Sequence, residues 1–231
     1  MNKLKRIAII PARGGSKRIP NKNVKMFFEK PIIAYSIEAA INSGLYDEVM
    51  VSTDSEVIKE IATKYGAKVP FLRSDKNSND FATTVDVLLE VLEFYKKNGS
   101  EFDEATCIYA CAPFVNTDLL KKSFSVLDEN YDCVFPVLPY SHPIQRAIEL
   151  SIEGKIIPFF KSDDQARTQD LKKAFHDAGM FYTFNVERLL ESKSLRTENT
   201  FGISISEMCA QDIDDENDWS LAELKYKLFF K

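Results

Sequence analysis

The sequence predicts an α/β fold, three layers deep, in which a mostly parallel, mixed sheet is covered by helices on both faces. Short continuous apolar runs recur, such as "IAII" at 7–10 and "VMVS" at 49–52; strands buried on both faces read this way. Segments of helical period separate them, and strand alternating with helix at this rhythm marks a parallel sheet with crossover helices. A chain of 231 residues suits one such domain with at most a small insertion.

In chain order, residues 7–10 form the first strand. Pro31 then opens a helix over "PIIAYSIEAAINSG", with proline preorganised for the start and Gly44 suited to the end. "DEVMVSTDS" is a second strand and "SEVIKEIATKYG" a second helix, for which Ser55 is the N-cap. After the extended piece "VPFLRS", Phe81, Val85, Leu88, Leu89, Leu92 and Tyr95 recur at steps of three and four, an amphipathic helix. "ATCIYACA" and "DCVFPVLP" read as two strands around a helix at Thr117–Glu129.

From Tyr140 to Gly179 the rhythm breaks. "RAIELSIEGKIIPFF" reads as two strands joined at Glu153–Gly154, a hairpin with exposed apolar residues. A hairpin is marginal alone in water and needs a surface to pack on. Residues 140–179 are therefore expected to be an inserted dimerisation arm on a core formed by 1–139 and 180–231. "DAGMFYTFN", the helix "NVERLLESKS", the strand "GISIS" and a final helix after an acidic turn restore the α/β pattern.

The net charge of −5 argues against nucleic-acid binding, which needs a basic face. Cys107, Cys111, Cys133 and Cys209 show no CxxC spacing, and only two histidines are present, so reduced core thiols are expected rather than a zinc site. The apolar segment "IAIIPA" is too short for a signal core or a membrane span, which points to a cytoplasmic protein with no membrane partner.

Against this acidic background, "IAIIPARGGSKRIPNKN" stands out. Between Arg13 and Lys25, five of thirteen residues are Lys or Arg, against 30 of 231 in the whole chain. Glycines following a buried strand lie where parallel sheets bind ligands, and their backbone N–H groups can cradle an anion. Neither GxxxxGK followed by Ser or Thr nor GxGxxG is present. Arg13 offers a planar fork for phosphate oxygens and Lys22 a point charge. Asn23 carries both donor and acceptor, suited to a base edge or a ribose hydroxyl. Arg73 is either a plain surface cation or a reach toward phosphate or a sugar carboxylate. Asp212 and Asp214 stand two apart, so in an extended segment both face one side and can share a magnesium ion; a helix entrance is the alternative.

The motif "IIPARGGSKRIPNKN" closely resembles the nucleotide-binding signature of the acylneuraminate (CMP-sialic acid) cytidylyltransferases. "KPIIAYSIEAA", "VSTDSEVI", "GAKVPFLR", "APF", "RTQD", "DAG" and "QDIDDENDW" follow in the family's order, and "PYSHPIQRA" and "AFHDAGMFY" look most like its pseudaminic acid branch. The resemblance implies a Rossmann-like nucleotidyltransferase that condenses CTP with a nonulosonic acid, releases pyrophosphate, uses Mg2+ and acts as a homodimer. It implies that Ala12, Arg13, Gly14, Gly15, Ser16, Lys22, Asn23, Arg73 and Thr83 hold the nucleotide, with Arg13, Lys22 and Asp212 catalytic and Asp212 and Asp214 on the metal. Tyr109, Gln145, Arg146, Arg167, Gln169, Asp170, His176 and Asp177 are implied for the sugar; His176 reads equally as a structural hydrogen-bonding residue. Where many members carry Gln before Thr-Ser-Pro, this chain has Tyr109-Ala-Cys-Ala-Pro113, which removes a sugar contact and disfavours sialic acid itself. Tyr109, Ala110, Ala112 and "GMFYTF" are expected to give the sugar pocket apolar surface. The first competitor is a cytidylyltransferase for another sugar acid, such as sialic, legionaminic or 3-deoxy-octulosonic acid. A nucleotide-sugar glycosyltransferase and a nucleotide sensor follow, but the only DxD here is Asp212–Asp214, too late for the glycosyltransferase metal motif.

Overall fold

A computed structural model describes residues 4–127, 130–160 and 167–230. Strand β1 (Arg6–Pro11) is followed by the basic loop and the short ribbon of β2 (Met26–Phe27) with β3 (Lys30–Pro31). Helix α1 (Ile32–Ser43) follows Pro31, which is its extended N-cap rather than its first residue, and stops at Gly44, whose φ of 64° carries no Cβ penalty. Next come β4 (Glu48–Ser52) and α2 (Glu56–Lys64), capped by the Ser55 side chain accepting from the Ile58 N–H.

A single-turn helix, α3 (Asp75–Ser78), precedes α4 (Thr84–Lys97). The sequence periodicity carries Phe81 into this helix, and the structure excludes it. Thr83 and Asp86 form a reciprocal capping box that fixes the start at Thr84, and Phe81 is left 93% exposed. Then follow β5 (Glu104–Ile108), α5 (Thr117–Val126) and β6 (Cys133–Pro139). The α5 pattern was expected to reach Glu129; it ends at Val126 with Leu127 as cap, and Asp128 and Glu129 lie outside the described residues.

The expected hairpin is present, with β7 (Ile148–Leu150) antiparallel to β8 (Ile156–Pro158) and Gly154 at a φ of 83° in its turn. The segment 140–179 is not uniform, however. Its end is β9 (Phe175–Asp177), which pairs with β6 and so belongs to the main sheet. After it come β10 (Phe181–Asn185), α6 (Val186–Ser192), β11 (Thr200–Ser204) and α7 (Glu216–Phe230).

The main sheet runs β11-β6-β10-β5-β1-β4, with β9 added to β6. β1 is parallel to β4 and β5, and β11 to β6, while β10 runs antiparallel between β5 and β6. Alternate side chains of β1 feed two cores. Ala8 and Ile10 pack with Ile33 and Ile37 of α1 and Trp219 and Ala222 of α7; Ile7 and Ile9 pack with Leu88 and Val91 of α4 and Leu189 of α6. Three layers result, and the parallel strands all point their carboxyl ends at one edge.

Candidate active site

That edge holds the loops after β1, β4 and β5. Because β10 is antiparallel, its leading residues Gly179 and Met180 arrive there too. The loops enclose a cleft of about 570 Å³ lined by Arg13, Ser16, Lys17, Arg18, Lys22, Asn23, Arg73, Thr83, Tyr109, Asp212 and Asp214, among others. The basic loop and the late acidic motif, some 190 residues apart in sequence, thus face each other: the Arg18 guanidinium donates to Asp214 over 196 positions at 2.8 Å.

Within the loop, each residue has a distinct part. Ala12 is buried in the core and donates its N–H to the Ser52 carbonyl, so its side chain offers nothing to a nucleotide. The Gly14 N–H donates to Asp54 Oδ1 at 2.8 Å and the Ser16 N–H to the Gly14 carbonyl at 3.0 Å. The expected anion cradle of Arg13–Ser16 therefore has two of its N–H groups committed internally. A Cβ at Gly14 would meet Ser55 at 3.1 Å, whereas Gly15 opens onto free space. Four of the loop's five cations, Arg13, Lys17, Arg18 and Lys22, line the cleft, while Lys25 pairs with Glu216. Arg13 Nη1 and Lys17 Nζ both donate to Asp80, at 2.7 and 2.5 Å.

Asn23 lines the cleft, as expected, and has a structural part as well. Its amide donates to the Arg13 carbonyl at 2.8 Å and accepts from Cys111 Sγ at 3.1 Å, so it ties the loop to the β5 edge rather than presenting both groups to a base. Burial pushes the Cys111 thiol up to about 12, which keeps it a protonated donor. Arg73 is 7% exposed and donates through Nε and Nη2 to Ser52. It lines the cleft as a buried cation, not a surface one; burial pulls its pKa down, and Asp54 and Glu90 oppose that shift. Thr83 lines the cleft while its hydroxyl serves the α4 cap.

On the acidic side, residues 211–214 form neither helix nor strand, and Asp212 and Asp214 both line the cleft. Burial first, then Asp214, raises the Asp212 carboxyl above the ordinary range, while Lys22 pulls the other way. Lys22 Nζ donates to the Ile213 carbonyl at 2.7 Å, next to Asp212. Gly179, at a φ of 65°, lies so close that a Cβ would stand 3.0 Å from Asp212 Cγ. Asp177 holds that glycine: Oδ1 accepts from the Gly179 N–H at 2.9 Å, and Oδ2 accepts from Tyr182 and from Arg196 at 2.6 Å. The Asp177 carboxylate is engaged in this support, and Asp177 also lines the smaller cleft beside His176.

Asp212 also lines a second, smaller cleft of about 290 Å³ with Leu138, Tyr140, Ser141, His176, Gln211 and Lys225. Here His176 stacks near Tyr140, ring centres 4.9 Å apart. Tyr109 and Ala110 line the larger cleft instead, and Ala112, Met180, Phe181, Tyr182 and Phe184 are buried in the core, so "GMFYTF" is sheet interior rather than pocket surface. Gln145, Arg146, Arg167, Gln169 and Asp170 line neither cleft of their own chain. Gln145 donates to the Lys172 carbonyl, and its buried Oε1 has no hydrogen-bond partner; Arg167 pairs with Asp170 at 3.2 Å. Sequence reasoning missed Asp54 and Asp80. Asp54 was accessible, since it directly follows a strand at the carboxyl edge, whereas nothing in sequence marks Asp80.

A cation-lined cleft at the carboxyl edge of a mixed sheet suits a nucleotide triphosphate. The cytidylyltransferase family model matches residues 7–195. The chain belongs to the cytidylyltransferase family. Among relatives of this cytidylyltransferase, a pseudaminic acid cytidylyltransferase of Campylobacter jejuni is 39% identical over 226 residues, covering 97% of both chains. A CMP-N,N'-diacetyllegionaminic acid synthase of Legionella pneumophila is 30% identical, covering 94% of both. A solved CMP:2-keto-3-deoxy-manno-octonic acid synthetase complexed with CTP superposes with a TM-score of 0.68 at 17% identity, covering 97% of this chain and 98% of that one, which shows the shared fold. The chain is thus a nucleotidyltransferase. Among the described residues, no helix is long and apolar enough to cross a membrane.

Proposed function

We propose that this cytidylyltransferase transfers CMP from CTP to pseudaminic acid, giving the CMP-sugar and pyrophosphate. One observation carries the reading: Asp212 stands in the wall common to both clefts. The cationic cleft then takes CTP and the smaller one the sugar acid, so that the α-phosphorus and the sugar's anomeric hydroxyl meet beside Asp212. The full-length similarity to pseudaminic acid cytidylyltransferases supports the sugar assignment. Leu138, Pro139, Tyr140, Ala178 and Ala210 in the smaller cleft give apolar surface suited to the methyl group that pseudaminic acid carries in place of a terminal hydroxyl.

Transfer at phosphorus needs positioning and charge neutralisation more than covalent help. Arg13, Lys17 and Lys22 supply positive charge to the phosphates, and buried Arg73 adds a fixed cation beneath them. Asp177 and Gly179 hold the backbone against which Asp212 rests. Asp212 and Asp214 are the residues that would hold Mg2+. Among the described residues no group of three His, Cys, Asp or Glu forms a cage. A pair of carboxylates, one half-buried and pushed toward protonation by the other, suits a hard cation that takes its remaining oxygens from phosphate and water. When bound, Mg2+ would neutralise phosphate charge and acidify the attacking hydroxyl.

A homodimer in which the arm brings Gln145, Arg146, Arg167, Gln169 and Asp170 to the partner's smaller cleft accounts for their distance from their own. Four free cysteines and CTP as substrate suit a cytoplasmic enzyme. The test offers pseudaminic acid and N-acetylneuraminic acid together with CTP and reads product masses. Where the apolar part of this mixed cleft, Leu138, Pro139 and Ala178, meets an added hydroxyl, discrimination of about a hundredfold in favour of pseudaminic acid is expected. Comparable rates, or preference for the sialic or legionaminic acid, would overturn the sugar assignment; no pyrophosphate release would overturn the whole reading.

A further inference from the structure

Asp80 occupies the phosphate loop's own cations. Oδ1 accepts from Arg13 Nη1 at 2.7 Å and Oδ2 from Lys17 Nζ at 2.5 Å, one oxygen for each cation. The carboxylate is presented by a local turn: Asn79 Oδ1 accepts from the Phe81 and Ala82 N–H groups, and Asn79 Nδ2 donates to the Lys76 carbonyl. Asn79, Asp80, Ala82 and Thr83 form the cleft wall facing the basic loop. All three charges are solvent-accessible, with side-chain exposures of 40, 77 and 46% for Arg13, Lys17 and Asp80, and exposed pairs of this kind exchange readily. Arg13 and Lys17 therefore have two competing anions, the carboxylate built into the chain and the phosphates of the ligand.

We propose that Asp80 is an internal competitor of pyrophosphate for Arg13 and Lys17, so that its return to these cations weakens the hold on the leaving product and speeds its release. The proposal rests on the reading that this loop receives the β- and γ-phosphates of CTP. A product carrying several negative charges among several cations is otherwise retained, and in many nucleotide-using enzymes release limits turnover. If the cations are held by Asp80 for most of the time, ligand affinity falls by the fraction of time they are free. CMP, lacking the β- and γ-phosphates, does not call on these two cations and escapes the competition.

Asp80→Asn keeps the side chain's size and removes its charge. Equilibrium binding of inorganic pyrophosphate, CTP and CMP to both proteins, without sugar or metal, is measured by calorimetry. Pyrophosphate and CTP are expected to bind the variant about three- to tenfold tighter, with CMP unchanged. In turnover, kcat and KM for CTP should fall together. Weaker pyrophosphate binding with a raised KM would show that Asp80 positions Arg13 and Lys17 instead, and unchanged binding would show that it does nothing to them; either overturns the proposal. Failure of pyrophosphate and CTP to bind either protein would remove the phosphate-loop reading, and the competitor with it. An unchanged melting temperature excludes misfolding as the cause.

Discussion

Arg13 and Lys22 differ in what their loss does. Arg13 sits half-exposed on Asp80 and touches the backbone only at the Asn79 carbonyl, 3.5 Å away, so Arg13→Ala chiefly removes a phosphate cation. Lys22 Nζ also donates to the Ile213 carbonyl, so Lys22→Ala frees the segment carrying Asp212 as well. Each is expected to lose about 2–4 kcal/mol of transition-state stabilisation, the size found for single charge-stabilising donors. Steady-state kcat/KM reads this, and values within about threefold of wild type for both would take the loop out of the chemistry. These cations were legible because they crowd one short stretch. Their partners were not. Asp80 lies 67 positions from Arg13, and Asp54 lies 40 from Gly14, separations closed by topology rather than by local pattern. Asn23 and Asp177 do line the clefts expected of them, but only the fold reveals that their polar groups also engage the Arg13 carbonyl and the Gly179 N–H.

Among elements, starts and stops written as caps were readable. Ser55 and Gly44 behave as their residue types dictate, whereas Pro31 stands at the N-cap, one position before the first helical residue. Periodicity misled where it ran past a cap, as at Phe81, because a capping box outweighs one more apolar residue in phase. The break between β9 and β10 carried no signal. It shifts their register on β6 from Val137↔Asp177 to Val134↔Thr183, and Gly179 lies inside it against Asp212. The segment ahead of Asp212 is held from the other side by α7. Lys225 Nζ donates to the Glu207 carbonyl, the Ala210 carbonyl and Gln211 Oε1, at 2.8, 2.9 and 2.9 Å. Lys225→Met keeps the stem's bulk but leaves these acceptors without their donor, at a cost of about 1–3 kcal/mol. Its melting temperature should fall, and, since Asp212 follows Ala210 by two residues, half-saturation by Mg2+ should rise while CTP binding without metal stays the same. A lower melting temperature with no change in the Mg2+ requirement would confine Lys225 to stability alone.

At the scale of the whole molecule, the apolar surface is not spread evenly. Ile148, Leu150, Ile152, Ile156, Phe159 and Phe175 are exposed on or beside the hairpin. The outer face of β6 and β11 adds a shallow apolar hollow of about 430 Å³ between Phe135, Val137 and Phe175. Monomers rarely leave so much contiguous apolar surface in water, and a two-stranded hairpin needs a surface to lie on. A second copy of the chain would supply both needs at once through a two-fold interface. The prediction is a homodimer at micromolar concentration by light scattering, and Ile152→Lys should weaken it. The same arm carries Arg167 away from its own clefts, so exchange between copies gives a sharper test. Asp212→Asn disables the cleft but keeps a normal arm; Arg167→Ala keeps the cleft and disables the arm. Each homodimer should be nearly inactive. After mixing and subunit exchange, half of the dimers are hybrids, and in each hybrid one cleft has both its own Asp212 and a normal Arg167 from its partner. Activity should return to about a quarter of wild type if the arm acts across the two-fold axis. If the arm served its own chain, every cleft in the mixture would lack one group or the other, and no activity would return.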